Sequence, residues 1–176
     1  MSRVVLSIGS NLGDRLARLQ AAVDALGRSV LAVSPVYETD AWGGVEQGPF
    51  LNAVIIAEDP ALDAGAWLQR AQAIERDNER VRELRWGPRT LDVDLVCCVE
   101  GDEEITSDTP VLTLPHPLAH QRAFVLAPWL EVEPDAELNV GGFRRPVRAI
   151  FDELDAVERD GVRLTDLRLY GGEGAR

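Results

Sequence analysis

Two aspartates spaced by one residue, Asp92 and Asp94, follow directly on an arginine-rich stretch that holds Arg80, Arg82, Arg85 and Arg89. Guanidinium groups beside a carboxylate pair suit a polyanion held together with a divalent metal. On a strand, residues i and i+2 share a face, so the two carboxylates would project together from Cα atoms about 7 Å apart. A pair so placed can converge on hard cations such as Mg2+. Taken alone, an Asp-x-Asp is more often the solvated face of an amphipathic strand. Against that, aspartate is disfavoured in strands, and two on one face repel unless a cation compensates. The arginines could likewise be a solvated run, with Glu75, Asp77, Glu79 and Glu83 neutralising several of them. Yet only Glu83 lies among them, and Gly87 and Pro88 mark a loop rather than a helix surface. Trp86 in the same loop offers a ring for stacking or for closing over a ligand.

Other residues are compatible with a ligand site or with plain structure. Gln72 and Glu75 stand three apart on one helix face, able to read a nucleotide or simply meet solvent. Phe50 and Asn52 share a strand face, and an aromatic platform beside an amide suits a flat, nitrogen-rich heterocycle. They fit equally a core ring and a turn-adjacent polar group. Leu114-Pro-His-Pro117 fixes the backbone at His116, and Arg122 follows shortly after.

The elements that must position these groups follow from periodicity. Residues 3–9 predict a strand, and Gly9 to Asp14 a turn with Asn11 or Asp14 as helix cap. Leu16, Leu19, Ala22, Val23 and Leu26 predict a helix stopped by Gly27. Residues 30–38 predict a second strand carrying Pro35, residues 50–57 a third, 62–79 a second helix opened by Asp59-Pro60, and 91–99 a fourth strand. The order βαββαβ predicts an α+β, ferredoxin-like core, an antiparallel sheet with helices on one face. Residues 100–110 read as an acidic loop, 119–131 as a helix interrupted by Pro128, 138–144 as a hairpin and 146–157 as a helix. One domain over 1–176 is expected, with a core to about residue 130, a hairpin and helix elaboration over 131–170 and a frayed tail over 171–176.

Composition narrows the function. Net charge is −12, against a general nucleic-acid binder. All 18 basic residues are arginine, so a Walker A lysine, a Schiff-base lysine and a kinase-type strand lysine are excluded. Any phosphate must be held by arginine or backbone N–H groups. Cys97 and Cys98 are the two cysteines and lie adjacent, which excludes a disulfide framework; they read as small buried hydrophobes. Neither a membrane span nor a signal peptide is evident, so a cytoplasmic location is expected.

Together, Ile8-Gly-Ser-Asn-Leu-Gly-Asp14, Tyr37-Glu-Thr39, Phe50-Leu-Asn-Ala53, Arg85-Trp-Gly-Pro-Arg-Thr-Leu-Asp-Val-Asp94, Leu114-Pro-His-Pro117 and Arg122-Ala-Phe124 resemble the 6-hydroxymethyl-7,8-dihydropterin pyrophosphokinases of folate biosynthesis. The resemblance runs from residue 4 to about 130. It implies transfer of pyrophosphate from ATP to the pterin hydroxymethyl, giving AMP. It further implies Asp92 and Asp94 as ligands of two Mg2+ ions, and Arg80, Arg82, Arg89 and Asp94 as catalytic. Gln72, Glu75, Trp86, Leu95, His116 and Arg122 would join the arginines around ATP. Thr39, Trp42, Phe50, Asn52 and Phe124 would hold the pterin. A monomer acting on these two small molecules, without nucleic acid or membrane, is expected. Ala41, Trp42 and Leu118 depart from the residues most frequent in the family. Two rivals remain on the residues alone: a non-enzymatic nucleotide or RNA sensor, and a metal-dependent phosphohydrolase.

Overall fold

The computed structural model describes residues 2–41, 47–78 and 90–171. The chain forms β1 (Ser2–Ser10), α1 (Arg15–Leu26), β2 (Val30–Val33), β3 (Tyr37–Thr39), β4 (Phe50–Asp59), α2 (Ala64–Asn78) and β5 (Asp92–Glu100). The short strands β6 (Glu103–Glu104), β7 (Ser107–Asp108) and β8 (Thr113–Leu114) follow. Then come α3 (Ala123–Val132), the hairpin β9 (Glu137–Val140) and β10 (Phe143–Pro146), α4 (Val147–Asp152), α5 (Ala156–Asp160) and β11 (Val162–Leu164).

The main sheet runs β11-β3-β4-β1-β5-β6, with β2 also paired to β4, and its pairings are antiparallel. This is the expected βαββαβ arrangement with its second strand in two pieces. Proline has no N–H for a ladder, and the single strand expected over 30–38 breaks at Ser34-Pro35-Val36. Ser34 bridges the break: its N–H donates to Val54 O, and its Oγ accepts from the Val54 N–H, both at 2.9 Å.

Helix ends are set by local chemistry. Asp14 Oδ1 accepts from the Ala17 N–H at 3.1 Å, so Asp14 rather than Asn11 caps α1. Gly27 ends it at φ 54°, a conformation costly for any other residue. Helix α2 starts later than Asp59-Pro60 implied. Its first turn is held by Asp63, whose Oδ1 accepts from the Ala66 N–H at 2.8 Å.

Strand alternation gives the sheet two apolar faces, and helices cover both, not one as expected. Val4, Leu6 and Ile8 of β1 pack with Ala53, Ile55, Val93 and Leu95 beneath α1 and α2. Val5, Val54, Ile56 and Val96 face the other way, against Leu126, Trp129 and Leu130 of α3 and Val147 and Ile150 of α4. A bulge where Val5 and Leu6 pair with Cys97 and Leu95 leaves Val96 and Cys97 on the α3 side and Cys98 in the opposite core.

The outer edge of β5 is finished piecemeal. Glu75 Oε2 accepts from the Val93 N–H at 3.0 Å, and the N–H groups of His116 and Ile105 donate to Val96 O and Cys98 O at 2.8 and 2.9 Å. The acidic segment over 100–110 therefore contributes strands instead of forming only a solvent loop. The helix expected over 146–157 divides into α4 and α5. Residues up to 171 are docked: Tyr170 and Gln20 exchange two hydrogen bonds, and Leu169 enters the core. Among the described residues no helix is long and apolar enough to cross a membrane.

Candidate active site

The register of β1 assembles one polar patch. Gly9 lies opposite Asn52 on one side and Asp92 on the other; Ser7 lies opposite Val54 and Asp94. Directly paired residues point to the same face, so Asp92, Asp94, Ser7 and Asn52 all project from the α3 side of the sheet. Farther along this face Val5, Val54, Ile56 and Val96 are covered by α3. The patch is therefore the polar end of an otherwise apolar face, beside the start of that helix.

On the β4 side, Asn52 is 4% exposed and its orientation is fixed. Its Oδ1 accepts from Thr39 Oγ1 at 2.6 Å, and its Nδ2 donates to Ile8 O at 3.4 Å. Phe50, half-buried, is paired with Thr39 across the β3–β4 ladder. Gly9 is what makes room: a Cβ there would stand 2.5 Å from Asn52 Nδ2 and 3.5 Å from Phe50 Cδ1. The sequence places Gly9 where the strand over 3–9 meets the turn; the structure keeps it in β1 and adds a role the sequence does not show, a missing side chain that accommodates the amide. Two further supports were missed. Asn11 Nδ2 donates to Gln47 Oε1 at 2.8 Å and Gly48 O at 3.1 Å, and Arg15 donates to Pro49 O at 3.1 Å, so both anchor the backbone entering Phe50.

On the β5 side, Arg122 is 7% exposed at the N-cap of α3, its guanidinium carbon 5.4 Å from the Phe124 ring centroid. Burial lowers its pKa, and the carboxylates of Asp94, Asp92 and Glu158 work in the opposite direction. His116 is drawn down by burial, with Asp94 opposing and Arg122 reinforcing the shift. Its Nδ1 accepts from the Leu118 N–H at 3.1 Å, so the neutral ring carries its proton on Nε2, free to donate. The structure thus brings Asp92, Asp94, His116, Arg122 and Phe124 to one neighbourhood. Glu75 reaches the same strand through Val93, while Gln72 on the same helix is exposed. The Leu95 side chain instead points into the core beneath α1 and α2. Trp42, Arg80, Arg82, Trp86 and Arg89 lie outside the described residues.

Two aspartates with oxygen donors on one half-buried face fit a hard cation. Among the described residues no cluster of three or more His, Cys, Asp or Glu could hold a metal by itself. A two-carboxylate set is nevertheless adequate for Mg2+, which commonly takes one or two carboxylates and completes its octahedron with water and substrate phosphate.

A family model described as 7,8-dihydro-6-hydroxymethylpterin-pyrophosphokinase matches residues 5–134. The 2-amino-4-hydroxy-6-hydroxymethyldihydropteridine pyrophosphokinase of Mycobacterium leprae is 59% identical over 175 residues, covering 96% of this chain and 92% of that protein. Its namesake from Mycobacterium bovis is 58% identical over 169 residues, covering 93% and 90%. The one from Pseudomonas aeruginosa is 41% identical over 145 residues, covering 80% and 86%. Among solved structures, Plasmodium falciparum HPPK-DHPS superposes with a TM-score of 0.61 at 12% identity. That match covers 86% of this chain but 43% of the longer one, and it bears on the fold alone. The α+β fold, the matched span and the close relatives agree, and the chain belongs to the 7,8-dihydro-6-hydroxymethylpterin-pyrophosphokinase family.

Proposed function

We propose that this protein transfers the pyrophosphoryl group of ATP to 6-hydroxymethyl-7,8-dihydropterin, releasing AMP, as a step of folate biosynthesis. The observation that supports this reading is the register of β1, which sets the Asn52 amide on one side of Gly9 and the Asp92–Asp94 pair on the other. Asn52, locked by Thr39, would read the edge of the pterin, with the rings of Phe50 and Phe124 on its faces. Backbone near Thr39 and Trp42 would complete that pocket. Arg122 and His116 Nε2–H would meet the phosphates from the α3 side. Gln72, Glu75 and Trp86 would border the nucleotide, with Leu95 contributing its backbone alone.

The nucleophile is a neutral alcohol and the target is the β-phosphorus, so the barrier is chiefly one of charge and alignment. Asp92 and Asp94 would hold two Mg2+ ions, whose chemistry is to neutralise the triphosphate and align attacking and leaving oxygens. Arg80, Arg82 and Arg89 would offset the charge that develops on the leaving AMP and the transferring group. Asp94 would accept the alcohol proton late in the step, since the sequence offers no obvious stronger base. A single domain acting as a cytoplasmic monomer is part of the same proposal. The test is incubation with ATP, Mg2+ and the hydroxymethylpterin. AMP that forms only with pterin present supports the reading, and ATP hydrolysis that ignores pterin would replace it with a phosphohydrolase.

A further inference from the structure

Residues 155–165 touch both walls of the candidate pterin pocket. On one side, β11 extends the ladder of β3, with Val162 opposite Thr39 and Leu164 opposite Tyr37. The Asp40 N–H donates to Gly161 O at 2.9 Å, and Thr165 N–H donates to Val36 O at 3.1 Å. This stretch thereby braces the strand whose Thr39 hydroxyl orients Asn52. On the other side, Glu158 Oε1 accepts from the Ala123 N–H at 3.0 Å.

That second contact answers a need in α3. A helix begins with N–H groups that have no intrahelical acceptor. The N-cap residue here is Arg122, a side chain that can only donate, and it makes no side-chain cap hydrogen bond. Glu158 supplies the acceptor from a separate segment, and its negative charge suits a helix N-terminus. It also counts among the carboxylates around buried Arg122, with Asp94 and Asp92. Those two would be engaged by metal during turnover, leaving Glu158 as the carboxylate outside the metal site.

We propose that Glu158 is a positioning residue: with β11 it fixes the Arg122-Ala123-Phe124 turn against the Thr39–Asn52 wall, setting the width of the pterin pocket. The proposal rests on the function proposed above. Kinetics and equilibrium binding of Glu158→Ala, Glu158→Gln and Val157→Ala test it. Val157 is 86% exposed on the same short helix and serves as control. Losing a charge-assisted hydrogen bond should raise the pterin KM of Glu158→Ala about tenfold and, because the same turn carries Arg122, raise the ATP KM by less. The pterin Kd, measured with Mg2+ and a non-hydrolysable ATP analogue, should rise in parallel. Glu158→Gln keeps an acceptor oxygen and should recover most of the loss, and Val157→Ala should behave as wild type. A lower melting temperature with unchanged pterin KM and Kd would overturn the proposal, as would equal impairment in the control. Should Glu158→Ala not fold, Glu158→Asp, which shortens the reach and keeps the charge, must show the same rise in pterin KM or the proposal fails. Wild-type protein that makes no pterin-dependent AMP would instead overturn the functional reading, and this proposal with it.

Discussion

Gly9→Ala is the sharpest perturbation this site allows, because it adds one carbon and changes no charge. Gly9 lies within β1, where an alanine backbone is allowed, and it is not among the glycines with positive φ. The new Cβ would sit 2.5 Å from Asn52 Nδ2, well inside van der Waals contact, while 3.5 Å to Phe50 Cδ1 is tolerable. The amide must therefore retreat by close to an ångström. It has little freedom to do so, held by Thr39 Oγ1 at 2.6 Å and Ile8 O at 3.4 Å in a buried position. Overpacking of this kind costs about 1–3 kcal/mol of stability. A displaced Asn52 would forfeit the hydrogen bonds proposed to the heterocycle, about 1–3 kcal/mol, so the pterin KM should rise roughly fivefold to a hundredfold. The ATP KM should stay near wild type, since Asp92 and Asp94 lie across the strand. Steady-state kinetics with each substrate varied, beside a thermal melt, read all three quantities. A pterin KM within about twofold of wild type would refute the steric argument, given the minimum of about fivefold expected.

Three further outcomes are expected. Asp92→Ala and Asp94→Ala should each abolish Mg2+-dependent nucleotide binding by calorimetry; unchanged binding would remove them as ligands. Arg89→Ala should lower kcat by several orders of magnitude with an unaltered circular dichroism spectrum, and near-normal turnover would reject its role. Burial, then Glu104 and Glu133, push the Cys97 thiol up to about 12, and burial, then Glu100, pushes Cys98 up to about 11. Both should resist iodoacetamide at pH 8 in the native protein and react once it is unfolded. Because the folded pKa is the higher one, the associated stabilisation is complete below the ordinary thiol value of about 8.5 and is lost as pH rises through 11 to 12.

Where side-chain period decided the structure, the sequence was readable. The alternation of Asp92 and Asp94 against Leu91, Val93 and Leu95 correctly separated a polar face from a buried one. Phe50 and Asn52 came out on that same face of the sheet. What escaped depended on partners distant in the chain. Gly9 acquires its role only through cross-strand register with Asn52, 43 positions away. The three-residue β11 has no pattern of its own and exists because β3 offers an edge. Helix coverage of the second face was missed because Val5, Val54, Ile56 and Val96 are scattered over three strands and become a surface only when the sheet forms. Leu95, expected at the nucleotide, shows the reverse case: alternation alone places its side chain in the core.

In the proposed reaction ATP loses its two terminal phosphates together, to a pterin bound beside Asn52. Phosphorus NMR of the reaction with Mg2+ and the hydroxymethylpterin observes that directly. AMP and a pterin diphosphate ester should grow in equal amounts, with no reaction when pterin is withheld. Appearance of ADP, or of inorganic phosphate without pterin, would contradict it.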